Sequence, residues 1–215
     1  MGGSSGGFAI ALQRLAFLAQ LLVGLAQQAL IEGIVLVCLL KAVECALALD
    51  EYAEEFRKAY HQKGIPLGAT RIGVHAGPAI VGNFGGGRFF DYTAYGDTIN
   101  VAARLEATNK QLGTRICVSA PLVAKVQDFR GRPVGDLLLR GKTEALRAFE
   151  PLRSEGYEAP ATKTYLDAFA KLECDDPTAL AAFASHVGSQ PLDLLASFHL
   201  KRLLNGEKGT RIAMD

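Results

Sequence analysis

The sequence offers no metal site of familiar spacing. Its four cysteines, Cys38, Cys45, Cys117 and Cys174, are far apart with no Cys-x-x-Cys pair, and its four histidines are just as scattered. This pattern excludes a zinc finger and a disulfide framework. Without a signal peptide of the usual order, it points to reduced thiols in a cytosolic protein. There is no excess of either charge: 23 Lys and Arg face 22 Asp and Glu, so nothing draws the chain to nucleic acid or an anionic surface in bulk. No Walker signature is present, because Gly206-Glu-Lys-Gly-Thr210 lacks the Gly-Lys-Ser/Thr order. No segment repeats. Finally, no aspartate precedes Asp50.

What is there suits one domain with an appendage, since 215 residues can bury a single core. Three regions follow from composition. Residues 1–40 combine a Gly/Ser lead (1–7), too polar to pack, with an apolar helical segment. Between Phe8 and Leu40 there is one acid, Glu32, and one base, Arg14. Leu21 to Leu40 is long enough to cross a bilayer, so residues 15–40 are the chain's candidate membrane contact. Glu32, Gln27 and Gln28 would be costly in lipid, and a helical hairpin broken near Gly24 or Gly33 is the plainer reading. Residues 41–153 have ordinary globular composition and form the main domain. Residues 154–215 form a helical C-terminal extension.

Within the main domain, Val43, Leu47, Ala53, Phe56 and Tyr60 predict a helix over 41–60 that ends at Gly64. Thr70 to His75 alternates as a strand. Ala79–Gly82 is a short extension, Asn83–Gly87 a hairpin turn and Phe89–Thr93 the return strand. Asp97 or Thr98 is placed to cap a helix that runs to about Gln111 and stops at Gly113. Strands follow at Arg115–Val118, Val134–Leu139 and Leu146–Leu152, with a short helix from Pro121. Strands alternating with helices predict an α/β sandwich with helices packed on a mixed sheet. After Pro160 the pattern is all helical, and the last helix, Leu192 to Leu204, ends at Asn205-Gly206.

The chemistry sits in Arg71-Ile-Gly-Val-His-Ala-Gly77, Gly82-Asn-Phe-Gly85 and Asp91-Tyr-Thr-Ala-Tyr-Gly-Asp-Thr-Ile-Asn-Val-Ala-Ala-Arg-Leu-Glu106. A strand, a glycine-rich turn and a second strand feed a helix start, a place where backbone N–H groups can meet phosphate. Asn100 and Arg104 are four apart and share a helix face. The Arg can answer charge that develops on a reacting phosphate, and the Asn can hold a sugar oxygen. His75 reads as a structural strand residue.

In order and spacing this run resembles the recurring block of class III adenylate and guanylate cyclase catalytic domains, and it continues through Thr114–Ser119 and Val134–Lys142. The resemblance implies a ferredoxin-like α+β fold, here incomplete, that converts ATP or GTP to a cyclic nucleotide and pyrophosphate in intracellular signalling. It implies that Asn100 orients the ribose and Arg104 stabilises the transition state at the α-phosphate. Thr93 falls where the family reads the purine, and a Thr there resembles the bacterial adenylate branch, favouring ATP over GTP. Arg140 or Lys142 would lie near the triphosphate. Active sites of this family form between two subunits, so a homodimer or a heterodimer with another cyclase subunit is implied. The helices around His199 to Leu204 bear a looser likeness to an extension in some bacterial membrane-anchored cyclases.

The family also implies Mg²⁺ or Mn²⁺ held by two Asp upstream of the helix at 41–60, and this chain has neither of them. Three readings follow: a beginning that is truncated or misread upstream of Lys41, a metal-free half of a heterodimer, or a non-catalytic regulatory or membrane-tethered module. On each, the chain alone should turn over little or no ATP.

Overall fold

Small and apolar residues at three- and four-residue spacing wind the first described segment into a helix. The computed structural model describes residues 32–86 and 89–214. It shows α1 (Glu32–His61) as one continuous helix, so the composition break at residues 40/41 falls inside a helix. The apolar segment upstream of Glu32 lies outside the described residues. Leu39, Val43 and Ala46 form the buried stripe of α1, which packs against one face of a sheet. The helix closes at Gly64, whose φ of 75° suits a residue without Cβ.

The sheet is mixed. Its strands are β1 (Ile72–Val74), β4 (Ile116–Ser119), β5 (Gly131–Leu138), β6 (Leu146–Pro151) and β7 (Arg211–Ala213), in the spatial order β1-β4-β6-β5-β7. The outer pairs β1/β4 and β5/β7 are parallel, and the inner pairs β4/β6 and β5/β6 are antiparallel. A separate antiparallel hairpin joins β2 (Ile80–Gly86) to β3 (Phe89–Tyr95). Strand pairing reaches Gly86, so Asn83 to Gly86 is ladder rather than the predicted turn. Glycine in a strand leaves room for the close approach of another chain segment and does not break the ladder.

Helix α2 (Asp97–Leu112) lies on the sheet face opposite α1, together with α5 (Pro160–Glu173), α6 (Ala179–Ser189) and α7 (Leu194–Leu204). Short helices α3 (Ala120–Val123) and α4 (Ser154–Glu158) complete the set. Strand alternation sorts the two cores: Ile116 and Val118 of β4 face the α1 side, while Cys117 between them faces α2. Gly73 of β1 decides how near α2 can come. A Cβ there would lie 2.2 Å from the Ala102 carbonyl oxygen and 2.4 Å from the Glu106 nitrogen. Buried Asn109 then ties the layers together, with its amide donating to the Ile72 carbonyl at 3.1 Å and its Oδ1 accepting from Thr114 at 2.7 Å.

The residues after 154 share this core. Tyr165, Phe169 and Phe183 are fully buried among Leu105, Leu112, Val134 and Leu195, and each burial is worth about 1.5–3 kcal/mol. Strand β7 departs from the all-helical tail that the sequence predicts. A bulge between Pro133 and Gly135 shifts the β5 register, and Gly135 admits the partner strand: a Cβ on it would meet Ile212 Cδ1 at 2.7 Å. The final strand therefore seals the free edge of β5.

Candidate functional site

The loop between β5 and β6 and the start of α2 are distant in sequence, but the sheet brings them side by side. The loop turns tightly: the Lys142 N–H donates to the Leu139 carbonyl at 2.9 Å, and Gly141 takes φ 72°. The Arg104 guanidinium lies beside this turn, 3.8–3.9 Å from where a Cβ on Gly141 would stand, an ordinary contact distance. The Lys142 ammonium reaches across and donates to the Asp97 carboxylate.

Sequence reasoning gave Asp97 or Thr98 the duty of capping α2, and neither does so. The N-cap is Gly96, with no side-chain cap bond. Asp97 is committed to Lys142, and the buried Thr98 hydroxyl donates to the Pro78 carbonyl. The bond from Lys142 holds the Asp97 carboxyl below the usual carboxylate range, and the charges of Lys142, Arg104 and His75 act the same way. His75, one residue past β1, is half-buried and shares a hydrogen bond with Ser119 Oγ at 2.8 Å. Burial lowers its pKa, Asp97 opposes the shift and Lys142 adds to it. Asp97, His75, Arg104 and Lys142 thus form one electrostatic cluster.

The other sequence candidates lie around it. Asn100 is exposed on α2, one turn before half-buried Arg104. Arg140 is exposed in the same turn as Lys142. Thr93 sits on the separate hairpin opposite Gly82, on the face that carries Ile80, Phe84 and Tyr95. Among the described residues neither Arg104 nor Arg140 has an ion-pair partner. Arg104 therefore lies against the turn that carries Lys142, Asn100 precedes Arg104 by one helix turn, and Thr93 remains on its hairpin. Asp97 was missed as a site residue. Its only signal was its place in Gly96-Asp97-Thr98, which reads equally well as a helix start.

A divalent ion would need grouped hard oxygen donors. Among the described residues no three His, Cys, Asp or Glu side chains come together. Asp97 is paired with Lys142, and buried Asp50 bonds Arg115 at 2.8 Å. The described residues offer no grouping of carboxylates that fits such an ion.

Residues 33–150 match the family model described as the adenylate and guanylate cyclase catalytic domain. The chain belongs to that family. Over 110 residues, 51% of this chain and 16% of the relative, it is 43% identical to "Adenylate cyclase 1" of Rhizobium meliloti (strain 1021). It is 31% identical over 107 residues to "Adenylate cyclase" of Anabaena cylindrica, covering 48% of this chain and 21% of that one. It is 35% identical over 109 residues to "Guanylyl cyclase C" of Cavia porcellus, covering 48% and 10%. The crystal structure of the adenylyl cyclase CyaB from P. aeruginosa aligns with 54% of this chain and 59% of that one, at 25% identity and a TM-score of 0.48. The chain spans no more than about a fifth of the length of these three curated relatives. No helix among the described residues is long and apolar enough to cross a membrane.

Proposed function

We propose that this chain supplies the nucleotide-facing half of an adenylate cyclase site and makes cyclic AMP only when a partner subunit brings the metal-binding carboxylates. The observation that carries this reading is the meeting of the Arg104 guanidinium with the Gly141–Lys142 turn. It gathers fixed positive charge beside Asn100, where a ribose and its phosphates would lie.

The reaction joins the ribose 3′-oxygen to the α-phosphorus, releases pyrophosphate and frees the hydroxyl proton. In this reading Asn100 orients the ribose. Arg104 faces the α-phosphate and answers the charge that grows on its oxygens as the new bond forms. Lys142 and Arg140 hold the outer phosphates, with Lys142 the nearer to Arg104. Thr93 contacts the purine and favours ATP over GTP. The hairpin stands apart from the main sheet and exposes Ile80 and Tyr95 on its Thr93 face, an apolar pair suited to a second subunit. That subunit is either another copy or a different cyclase chain.

The test mixes the purified chain with a cyclase subunit that keeps its metal carboxylates but lacks its own counterpart of Arg104. Cyclic AMP should appear in the mixture and fall about 10²–10³-fold with Arg104→Ala. The chain alone, with Mg²⁺ or Mn²⁺, should make little or none. Robust Arg104-dependent synthesis by the chain alone would falsify the half-site reading. The missing metal donors also favour a second reading, a regulatory module that binds nucleotide without turning it over. ATP binding by the mixture with no cyclic AMP would decide for that reading.

A further inference from the structure

The cluster of Arg104, Arg140 and Lys142 carries three cationic side chains, and one of them is already answered. The ammonium of Lys142, the cation best placed to hold a terminal phosphate, is bonded to Asp97. Asp97 is the first residue of α2, and its carboxylate is largely exposed. It can therefore swing into solvent without dragging a packed group with it. The Lys142 backbone is held in the turn closed by its own N–H and by the left-handed Gly141. The bond thus joins an exposed carboxylate to an ammonium that is less exposed, 67% against 29%. Arg104 lies against the same turn, so displacing the carboxylate from Lys142 would leave two unpaired cations on and beside one turn.

We propose that Asp97 is an internal stand-in for phosphate: its carboxylate holds Lys142 when no nucleotide is bound and yields the ammonium to the polyphosphate that enters. The inference rests on the nucleotide-site reading given above and adds a specificity device to it. A ligand must bring more negative charge than one carboxylate to take Lys142. A nucleoside triphosphate does so, whereas a cyclic monophosphate, with a single charge spread over its phosphodiester, does not. Asp97 would then return to Lys142 as the product leaves. It acts through Lys142 and touches no reacting atom, so it is a positioning residue.

The experiment uses the full chain in EDTA, with a fluorescent ATP analogue as probe and unlabelled ATP and cyclic AMP as competitors. Asp97→Asn keeps the shape and removes the charge. It should tighten ATP binding about two- to fivefold, the range expected when an exposed ion pair no longer competes. Glu106→Gln removes an equal charge from α2 at a side chain paired instead with Arg71 at 3.0 Å, and should leave ATP affinity unchanged. In the Asp97→Asn, Lys142→Ala double variant the gain should vanish. A gain that survives Lys142→Ala, or that Glu106→Gln reproduces, would show general charge relief and overturn the proposal. So would unchanged or weaker ATP binding by Asp97→Asn. The Arg140→Ala, Lys142→Ala double variant separates the two levels, because those two cations hold the outer phosphates in the nucleotide-site reading. If it leaves ATP binding intact, the nucleotide-site reading fails and takes this inference with it. If it abolishes binding while Asp97→Asn does nothing, only the stand-in is lost.

Discussion

The two ends of the α2-side core use charge in opposite ways. At the start of α2, Asp97 is 67% exposed and Lys142 29%, and nearby Arg104 has no ion-pair partner among the described residues. Under the C-terminal helices the charges are only 12–18% exposed and are joined in one network. Arg132 of β5 bonds Glu150 at 2.7 Å and also both oxygens of Asp193, and it stacks 4.5 Å over the Tyr165 ring. Asp193 in turn caps α7 through the Ala196 N–H at 3.1 Å and meets His186 at 3.0 Å. The buried group fixes which helix docks where, and the exposed group leaves cations free for a ligand. Substitutions in the C-terminal network should cost stability, and those at the start of α2 should change binding or turnover.

The largest expected effect is in the buried network. Arg132→Ala would leave Glu150 and Asp193 buried near one another without their shared cation. The Glu150 carboxyl is already pushed up by burial, with Arg132 pulling it back. Breaking such a network from one side costs about 3–5 kcal/mol. Urea unfolding followed by circular dichroism measures it, and a loss below about 1 kcal/mol would erase the contrast between the two ends.

His199 gives the next effect, through pH. Its ring is fully buried against Tyr165, Phe169, Phe183 and Phe198, with no hydrogen-bond partner for either nitrogen among the described residues. Burial first, and the Arg202 charge second, press its pKa down to about 3. An unfolded histidine titrates near 6.5, so the folded state binds fewer protons between those values. Its contribution is complete above about pH 6.5 and is lost as pH falls towards 3, reaching about 3 kcal/mol lost by about pH 4.5. Carboxylates titrate over part of this window, so the informative quantity is a difference. His199→Phe keeps an aromatic ring and should flatten the stability profile between about pH 6.5 and 4.5 relative to the parent. Parallel profiles would remove His199 as the source.

The same contrast explains what the sequence made legible. Strand alternation and helix spacing located α2, β4, β6 and the aromatic stripe of α5, because those elements bury one face against a core. Strand β7 escaped notice. Three residues hold too little alternation, and the strand exists because Gly135 admits Ile212. Asn109 escaped as well, since a polar residue on a helix reads as surface when its partners, Ile72 and Thr114, lie in other elements. In the site, Asn100 and Arg104 were legible from helix spacing, and Lys142 from family order. The pairing of Lys142 with Asp97 was not. An Asp at a helix start satisfies the local rule for a cap, and only the sheet brings the lysine turn close enough to claim it.

The smallest effect on stability should come from the residue with the largest effect on turnover. Arg104 is half-buried, has no ion-pair partner among the described residues and lies over a glycine. Its removal leaves no buried charge uncompensated and opens no core cavity. Arg104→Ala should therefore change unfolding free energy by no more than about 0.5 kcal/mol. Where Arg132→Ala weakens the whole fold, Arg104→Ala should leave the urea midpoint in place and lower cyclic AMP synthesis by the mixture about 10²–10³-fold. A stability loss comparable to that of Arg132→Ala would mean that Arg104 holds the β5–β6 turn as structure. Its value to a nucleotide would then be inseparable from its value to the fold.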